Sequence, residues 1–203
     1  MIRVLVAPDS LKGSLSAAAV AAAIAAGVRR ADPFAEVIER PMADGGEGAL
    51  AILLEVWGGE SVAVATVDPL GRPMEATYGR VNAAGVGGSG GTAVVEFAAA
   101  GGLPLVGDAP DPVAADSWGT GLLLRHALEH GAEKLVVCLG GSASTDGGAG
   151  ILRALGVRLL DAAGAELAPG GGTLVDLDRV DLGGLMDAAR RARWTLACDV
   201  TNP

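Results

Sequence analysis

The feature that most constrains the fold is a repeated unit, in which a short apolar run leads into a glycine-containing loop and then into an apolar pattern of helical period. Three runs of strand-forming residues show it: Ile2 to Ala7, Ala35 to Arg40 and Lys134 to Leu139. Strands that alternate with helices form sheets with helices packed on them. Such sheets bind ligands at the loops that follow the strands. We therefore predict an α/β fold with its ligand site at these loops.

The remaining predicted elements follow from the same patterns. Helices are expected around Val20 to Val28, Leu50 to Trp57, Leu122 to His130 and Ile151 to Leu155. Further strands are expected at Ser61 to Val67, Met74 to Val81, Thr92 to Phe97, Val157 to Leu160 and Thr195 to Cys198. The glycine-rich stretch 83–91 is predicted to be a flexible loop.

The alternation of strands and helices stops after residue 60, where three predicted strands follow one another with no helix between them. The first two are joined by the turn DPLGRP, residues 68–73. We therefore place a domain boundary here. Residues 1–60 are assigned to a first α/β domain and residues 61–203 to a second one with a mixed sheet.

Composition excludes several classes of function. A net charge of −9 with no run of Lys or Arg opposes nucleic-acid binding. No apolar stretch reaches the roughly 18–20 residues that span a bilayer, and the N-terminus lacks a signal-peptide pattern, so we expect a cytoplasmic protein. Cys138 and Cys198 lack C-x-x-C spacing and are expected to be buried, reduced thiols. His126 and His130 lack the H-E-x-x-H pattern and are expected on the surface near a helix C-terminus, where imidazolium is favoured.

The loop Gly140 to Gly150 is the main candidate site. It follows a strand of buried character, and its last glycines open a predicted helix, so backbone N–H groups and the positive helix end can face a phosphate. The spacing is neither that of a P-loop nor G-x-G-x-x-G. The alternative is a purely structural loop. The candidate phosphate or nucleotide ligands are Gly140, Gly141, Ser142, Asp146, Gly147 and Gly148.

Two earlier loops hold similar groups. Asp9, Ser10 and Lys12 follow the first strand, and Lys12 can neutralise a phosphate or a substrate carboxylate. A capped helix with a solvated lysine is the alternative. The loop Asp44-Gly45-Gly46-Glu47-Gly48 offers two carboxylates, which suit Mg²⁺, although Glu47 is also favoured in a first helical turn by the helix dipole.

Asp199 follows the last predicted strand, in the segment CDVTNP. A carboxylate at the end of an apolar strand is partly desolvated and suits a general base. The alternative is a turn-forming aspartate, with Asn202-Pro203 completing the turn.

Five segments in order resemble the signature segments of the type I glycerate kinase family: APDSLKGSLSA, PMADGGEGA, DPLGRP, GGSASTDGGAG and CDVTNP. Family members often have Phe at the position of Leu11 and Thr-Asn at Ser144-Thr145. The resemblance implies ATP- and Mg²⁺-dependent phosphorylation of D-glycerate, usually at the 2-hydroxyl. It also implies two α/β domains with the active site between them, the first Rossmann- or flavodoxin-like. The family continues well beyond this chain, so the first domain is expected to be incomplete here.

The resemblance also implies roles for individual residues. Asp199 is the expected base and Lys12 the residue that offsets phosphate charge. Asp44, Glu47 and Asp146 are candidates for metal coordination or for fixing the loops, and Asp44 and Glu47 are the expected metal ligands. The expected substrate ligands are Asp9, Ser10, Asp44, Gly45, Gly46, Arg72 and Asn202. For Arg72 a turn residue facing water is the alternative.

The expected partners are D-glycerate and ATP, with no nucleic acid and no membrane, and a homodimer is left open. Two other functions remain open at this point. One is a dinucleotide-dependent oxidoreductase, and the other is a non-catalytic phosphate- or nucleotide-binding fragment.

Overall fold

The fold is described here from a computed structural model that covers residues 1–11, 13–46, 48–81 and 90–198. The predictions for Lys12, Glu47, Asp199 and Asn202, and for most of the loop 83–91, fall outside these residues.

A five-stranded mixed sheet forms the centre of the molecule, with the strand order β3-β4-β5-β6-β9. Its strands are β3 (Gly59–Val67), β4 (Pro73–Val81), β5 (Gly91–Glu96), β6 (Ala132–Cys138) and β9 (Arg193–Ala197). β3, β4 and β5 pair antiparallel, whereas β5, β6 and β9 pair parallel. Strands β3, β5, β6 and β9 therefore all end at the same edge of the sheet.

Helices cover both faces of this sheet. On one face lies α4 (Trp118–Glu129), flanked by α3 (Ala98–Gly101), α5 (Ala149–Ala154) and α6 (Asp187–Arg191). This face holds the largest core cluster, which includes Tyr78, Val95, Leu123, Leu124, Leu135 and Val137. On the other face α2 (Ala49–Trp57) packs through Leu50 against Val81, Val94 and Cys138. The central strands β5 and β6 are thus covered on both sides, as their apolar sequences require, whereas the edge strand β9 is partly exposed.

The first forty residues form a separate β-α-β unit. β1 (Arg3–Val6) pairs in parallel with β2 (Glu36–Glu39), and α1 (Ala17–Ala31) connects them. Ser16 caps α1 by accepting a hydrogen bond from the N–H of Ala19 at 3.3 Å, as its side-chain type favours. Ile2 and Leu5 in this unit remain largely exposed.

The clearest differences from the predicted pattern concern the helices α3, α4 and α6 and one short strand. α4 begins four residues before the predicted Leu122, because Gly119 and Gly121 are helical here instead of forming a loop. A methyl group on Gly119 would lie 1.9 Å from the carbonyl oxygen of Val67, so glycine permits the close packing of α4 on the sheet. The helices α3 and α6 and the strand β8 (Arg179–Asp181) were not predicted. β8 pairs with β7 (Arg158–Leu160). α5 begins at Ala149, two residues before the predicted Ile151. Two 3₁₀ turns, Leu103–Val106 and Gly171–Asp176, complete the described elements.

The predicted α/β class with a mixed sheet is confirmed. α2 precedes the predicted domain boundary in sequence, yet it contacts β3, β4 and β5, which follow the boundary. The boundary near residue 60 itself stays a prediction. Across the described segments, no helix combines the length and apolar character needed to cross a membrane.

Candidate functional site

The glycine loop and the Asp44 loop meet at the edge where the parallel strands end. β6 delivers Gly140 to this edge, and a methyl group on Gly140 would lie only 2.5 Å from Cα of Gly46. The backbones of Gly140 and Gly46 are therefore in contact, and a side chain at Gly140 would force the two loops apart. The structure brings these two predicted loops together.

The end of β9 reaches the same place. Gly45 has φ +95°, and a methyl group on it would lie 3.4 Å from the carbonyl oxygen of Ala197, the last residue of β9. The chain then continues through Cys198 to Asp199, which is outside the described residues. The predicted base thus follows directly after a strand that ends beside both glycine loops.

Asp146 holds the glycine loop from inside. Its side chain is buried, with the residue 2% exposed, and it accepts hydrogen bonds from four donors. These are the hydroxyl of Ser117 at 2.6 Å and the N–H groups of Ser117, Gly148 and Gly150 at 2.9 to 3.1 Å. Burial opposes ionisation, but these hydrogen bonds outweigh it and hold the pKa of Asp146 below 3.8. Asp146 therefore remains an anion and ties the loop to the start of α4.

This arrangement corrects part of the phosphate prediction. The N–H groups of Gly148 and Gly150, which we expected to face a ligand, donate to Asp146 instead. Gly150 is needed for packing, since a methyl group there would lie 2.1 Å from Oδ1 of Asp116. Of the two roles predicted for Asp146, the geometry favours fixing the loop over binding a ligand. Within the described residues, the N–H groups of Ser142, Ser144 and Gly147 donate no hydrogen bond.

The loops after β1 and β2 line a common cavity of about 390 Å³. Met42 donates its N–H to the carbonyl oxygen of Pro8 at 2.9 Å, which joins the two loops. Asp9 and Asp44 are both exposed, and each accepts a bond from a neighbouring N–H group, that of Ser10 at 2.5 Å and that of Gly46 at 2.9 Å. Unlike Asp146, these carboxylates have room for further ligands.

Arg72 lies at the same edge of the sheet, but its guanidinium is already engaged. It forms an ion pair with Asp68 of its own turn and donates to the carbonyl oxygen of Leu105 at 2.5 Å. Burial disfavours the charged Asp68, but the hydrogen bonds from Arg72 and Leu70 hold the pKa of Asp68 below 3.8. The geometry favours the alternative of a turn residue for Arg72, whose side chain is 57% exposed.

Four further residues support the site and were missed in the sequence. Glu96, at the end of β5, accepts the N–H of Leu50 at 2.8 Å and so anchors the first turn of α2, directly after the Asp44 loop. Asp116 forms a buried ion pair with Arg153 at 2.6 Å. Ser117 precedes α4 and bonds Asp146. The only local signal was Asp116-Ser117 before a helical pattern, which is typical of a helix start.

Two predictions about other titratable residues need correction. Cys138 is buried as expected, and burial, with the nearby Glu96 carboxylate, raises its pKa to about 11. Cys198 is exposed, contrary to expectation, because it lies beyond the last residue of β9. His126 is only partly exposed and stacks on His130 with ring centroids 3.9 Å apart. Burial and the neighbouring His130 lower the pKa of His126, so imidazolium is disfavoured there, opposite to the prediction.

The described carboxylates at this edge suit a magnesium ion that is bound together with phosphates, but they do not form a site made of protein side chains alone. The described residues contain no group of three or more His, Cys, Asp or Glu side chains that could hold a metal. Mg²⁺ bound with phosphates, however, needs only one or two protein carboxylates, because it keeps several waters. Asp44 is an exposed carboxylate beside the glycine loop and meets that requirement.

Comparisons with known proteins agree with the resemblance seen in the motifs. A sequence profile described as the glycerate kinase family matches residues 4–203. The chain is 44% identical to a glycerate kinase of Bacillus subtilis (strain 168) and 42% identical to a glycerate 2-kinase of Escherichia coli (strain K12). Each alignment covers 100% of this chain and 52% of the relative.

A solved structure is similar throughout. A crystal structure described as glycerate kinase 2 from Salmonella typhimurium LT2 matches with a TM-score of 0.82 and 44% identity, over 100% of this chain and 53% of that one. The chain thus spans about half the length of the relatives that it matches.

Proposed function

Because this chain belongs to the glycerate kinase family, we propose that the protein carrying it uses ATP to phosphorylate D-glycerate, with 2-phosphoglycerate as the product. One observation supports this most. Three separate segments, namely the Asp44 loop, the glycine loop and the end of β9, meet at one edge of a sheet. Sheets of this class bind ligands at that edge. The name glycerate 2-kinase, carried by the relative in Escherichia coli, favours the 2-hydroxyl.

In this proposal the backbone N–H groups of Ser142, Ser144 and Gly147 bind phosphate oxygens of ATP. Gly140 allows the glycine loop to lie directly against the Asp44 loop, which brings these N–H groups close to Asp44. Lys12 offsets negative charge on the phosphates, and Asp199 accepts the proton from the glycerate hydroxyl. Most of the rate enhancement then comes from positioning and electrostatics, as in other phosphoryl transfers.

Asp44 and Glu47 would hold Mg²⁺, and a bound Mg²⁺ would neutralise phosphate charge. Asp9 and Ser10, which line the cavity after β1, are the proposed glycerate ligands together with Gly45, Gly46 and Asn202. A cytoplasmic location and a first domain made of residues 1–60 remain part of the same proposal.

The test is a coupled assay of ADP release with D-glycerate, ATP and Mg²⁺, followed by phosphorus NMR of the product. Phosphorus couples to one carbon-bound proton in 2-phosphoglycerate and to two in 3-phosphoglycerate. A doublet therefore supports the proposal, whereas a triplet would move the reaction to the 3-hydroxyl. No turnover of D-glycerate would refute the substrate.

Asp199→Asn tests the base in the same assay. We expect kcat to fall at least about a hundredfold, since general-base catalysis contributes that much or more, with the affinity for ADP unchanged. Asp187→Asn is the matched control, because the side chain of Asp187 is 81% exposed on α6. Turnover that is equal in both variants would remove Asp199 from the mechanism.

A further inference from the structure

A second cavity, also of about 390 Å³, borders the glycine loop on the face of the sheet that carries α4 and α5. Its volume lies within the roughly 300–1,000 Å³ usual for small-molecule sites. It is separate from the cavity lined by Asp9 and Ser10, which involves different residues. Among the residues that the structure describes, the two cavities share no lining residue and therefore offer two separate binding places.

The walls of this cavity are apolar. Trp194 and Leu196 of β9, Val137 of β6 and Ile151 of α5 line it. The indole N–H of Trp194 donates to the carbonyl oxygen of Ala189 at 2.9 Å, so the ring is held in place. Leu196 is 61% exposed and lies at the opening of the cavity.

The rim of the cavity is polar and belongs to the glycine loop. Ser142, Ser144 and Gly147 line it, and their N–H groups donate to no other described residue. Asp146 also borders the cavity, and its carboxylate stays ionised while four internal hydrogen bonds fill its acceptor sites. A phosphate at the rim is therefore bound by the N–H groups of the loop and not by the side chain of Asp146.

We propose that this cavity binds the purine base and ribose of the nucleotide, so that the phosphates pass Ser142 and Ser144 toward Gly140. The inference rests on the proposed kinase function and assigns its two substrates to different cavities. An aromatic ring and aliphatic walls suit a flat purine. They do not suit glycerate, a small acid whose carboxylate would be desolvated there without a charged partner.

The first experiment places a charge at the opening of the cavity. Leu196→Glu is expected to raise the KM for ATP and the Kd for ADP at least about tenfold, because a carboxylate there repels phosphates and interrupts the apolar wall. The KM for D-glycerate should change less than about twofold. Leu182→Glu is the matched control, since Leu182 is also exposed (49%) but lies away from the cavity.

The second experiment uses tryptophan fluorescence and does not depend on turnover. ADP with Mg²⁺ should quench the fluorescence of the wild-type protein and of Trp57→Phe, whereas Trp194→Phe should lose most of the quenching. Because it needs no substitution at Leu196, this measurement tests nucleotide binding in the cavity even if Leu196→Glu does not fold.

The outcomes separate the two proposals. Quenching that persists in Trp194→Phe, or an unchanged KM for ATP in a folded Leu196→Glu protein, would overturn the base-binding cavity while leaving glycerate kinase activity intact. A protein that loses ADP quenching in Trp194→Phe but does not phosphorylate D-glycerate would support the cavity and refute the proposed substrate.

Discussion

Two kinds of carboxylate lie in the loops of the candidate site, and their surroundings differ. Asp146 is buried and its oxygens accept four hydrogen bonds from the protein. Asp9 and Asp44 are exposed, and each accepts one hydrogen bond from an N–H group of its own loop. A carboxylate whose acceptor sites are filled by the protein stabilises the loop, whereas one with open sites can bind a metal or a substrate. The sequence presents all three as an aspartate beside glycines, and only their partners distinguish them.

Replacing Asp146 should give the largest effect on stability. In Asp146→Asn the amide replaces one acceptor with a donor, so N–H groups that now bond the carboxylate lose their partner. We expect the free energy of unfolding to fall by about 3 kcal/mol, or the Tm by about 10 °C. Thermal unfolding followed by circular dichroism measures this, with Asp187→Asn as the control. Equal Tm values in the two variants would show that Asp146 does not hold the loop.

The same contrast predicts a pH dependence. The pKa of Asp146 is lowered in the folded protein, because its hydrogen bonds favour the ionised form more than burial opposes it. Its stabilisation is therefore complete above the unfolded-state pKa of about 3.9 and is lost as the pH falls through the lower, folded-state pKa. Urea unfolding at several pH values should show wild type and Asp146→Asn converging in acid. A constant difference down to the lowest pH would contradict the assignment.

A smaller effect is expected from the buried ion pair beside the loop. Arg153→Met leaves Asp116 with the N–H groups of Trp118 and Gly170, which remain within 2.8 Å. The loss should be about 2 kcal/mol, since the carboxylate stays partly satisfied. Arg125→Met removes an ion pair with Glu129 in which both side chains are exposed. This substitution should lower the free energy of unfolding by only about 0.3 kcal/mol. Urea midpoints that shift equally in both variants would argue against a special role for the buried pair.

The smallest change in stability should follow substitution of the exposed carboxylates. Asp9→Asn and Asp44→Asn keep the side-chain oxygen that accepts the neighbouring N–H, so we expect changes within about 0.5 kcal/mol. Thermal unfolding is again the measurement. A loss comparable to that of Asp146→Asn would mean that these side chains also hold the fold and are not reserved for ligands.

The sequence predicted the elements better than the contacts between them. The strands β1, β2, β4 and β6 have strong local patterns, and their bounds agree to within two residues. α4 was predicted too short because Gly119 and Gly121 look like loop residues. Their presence is explained only by packing, of Gly119 against β3 and of Gly121 against α5. The bond between Ser117 and Asp146 joins residues 29 apart in sequence, so no local pattern can reveal it. The rule that ligand loops follow strands picked out both glycine loops, but it does not explain their contact, because the Asp44 loop follows β2 of the two-stranded sheet and the Gly140 loop follows β6 of the five-stranded sheet.

The most direct test of the difference between the two kinds of carboxylate is the turnover of D-glycerate by Asp44→Asn at saturating ATP. If Asp44 holds Mg²⁺, kcat should fall at least about tenfold, the Tm should remain that of the wild type, and added Mg²⁺ should restore part of the activity. Wild-type turnover at every Mg²⁺ concentration would contradict the account, because the exposed carboxylate beside the glycine loop would then have no part in the chemistry.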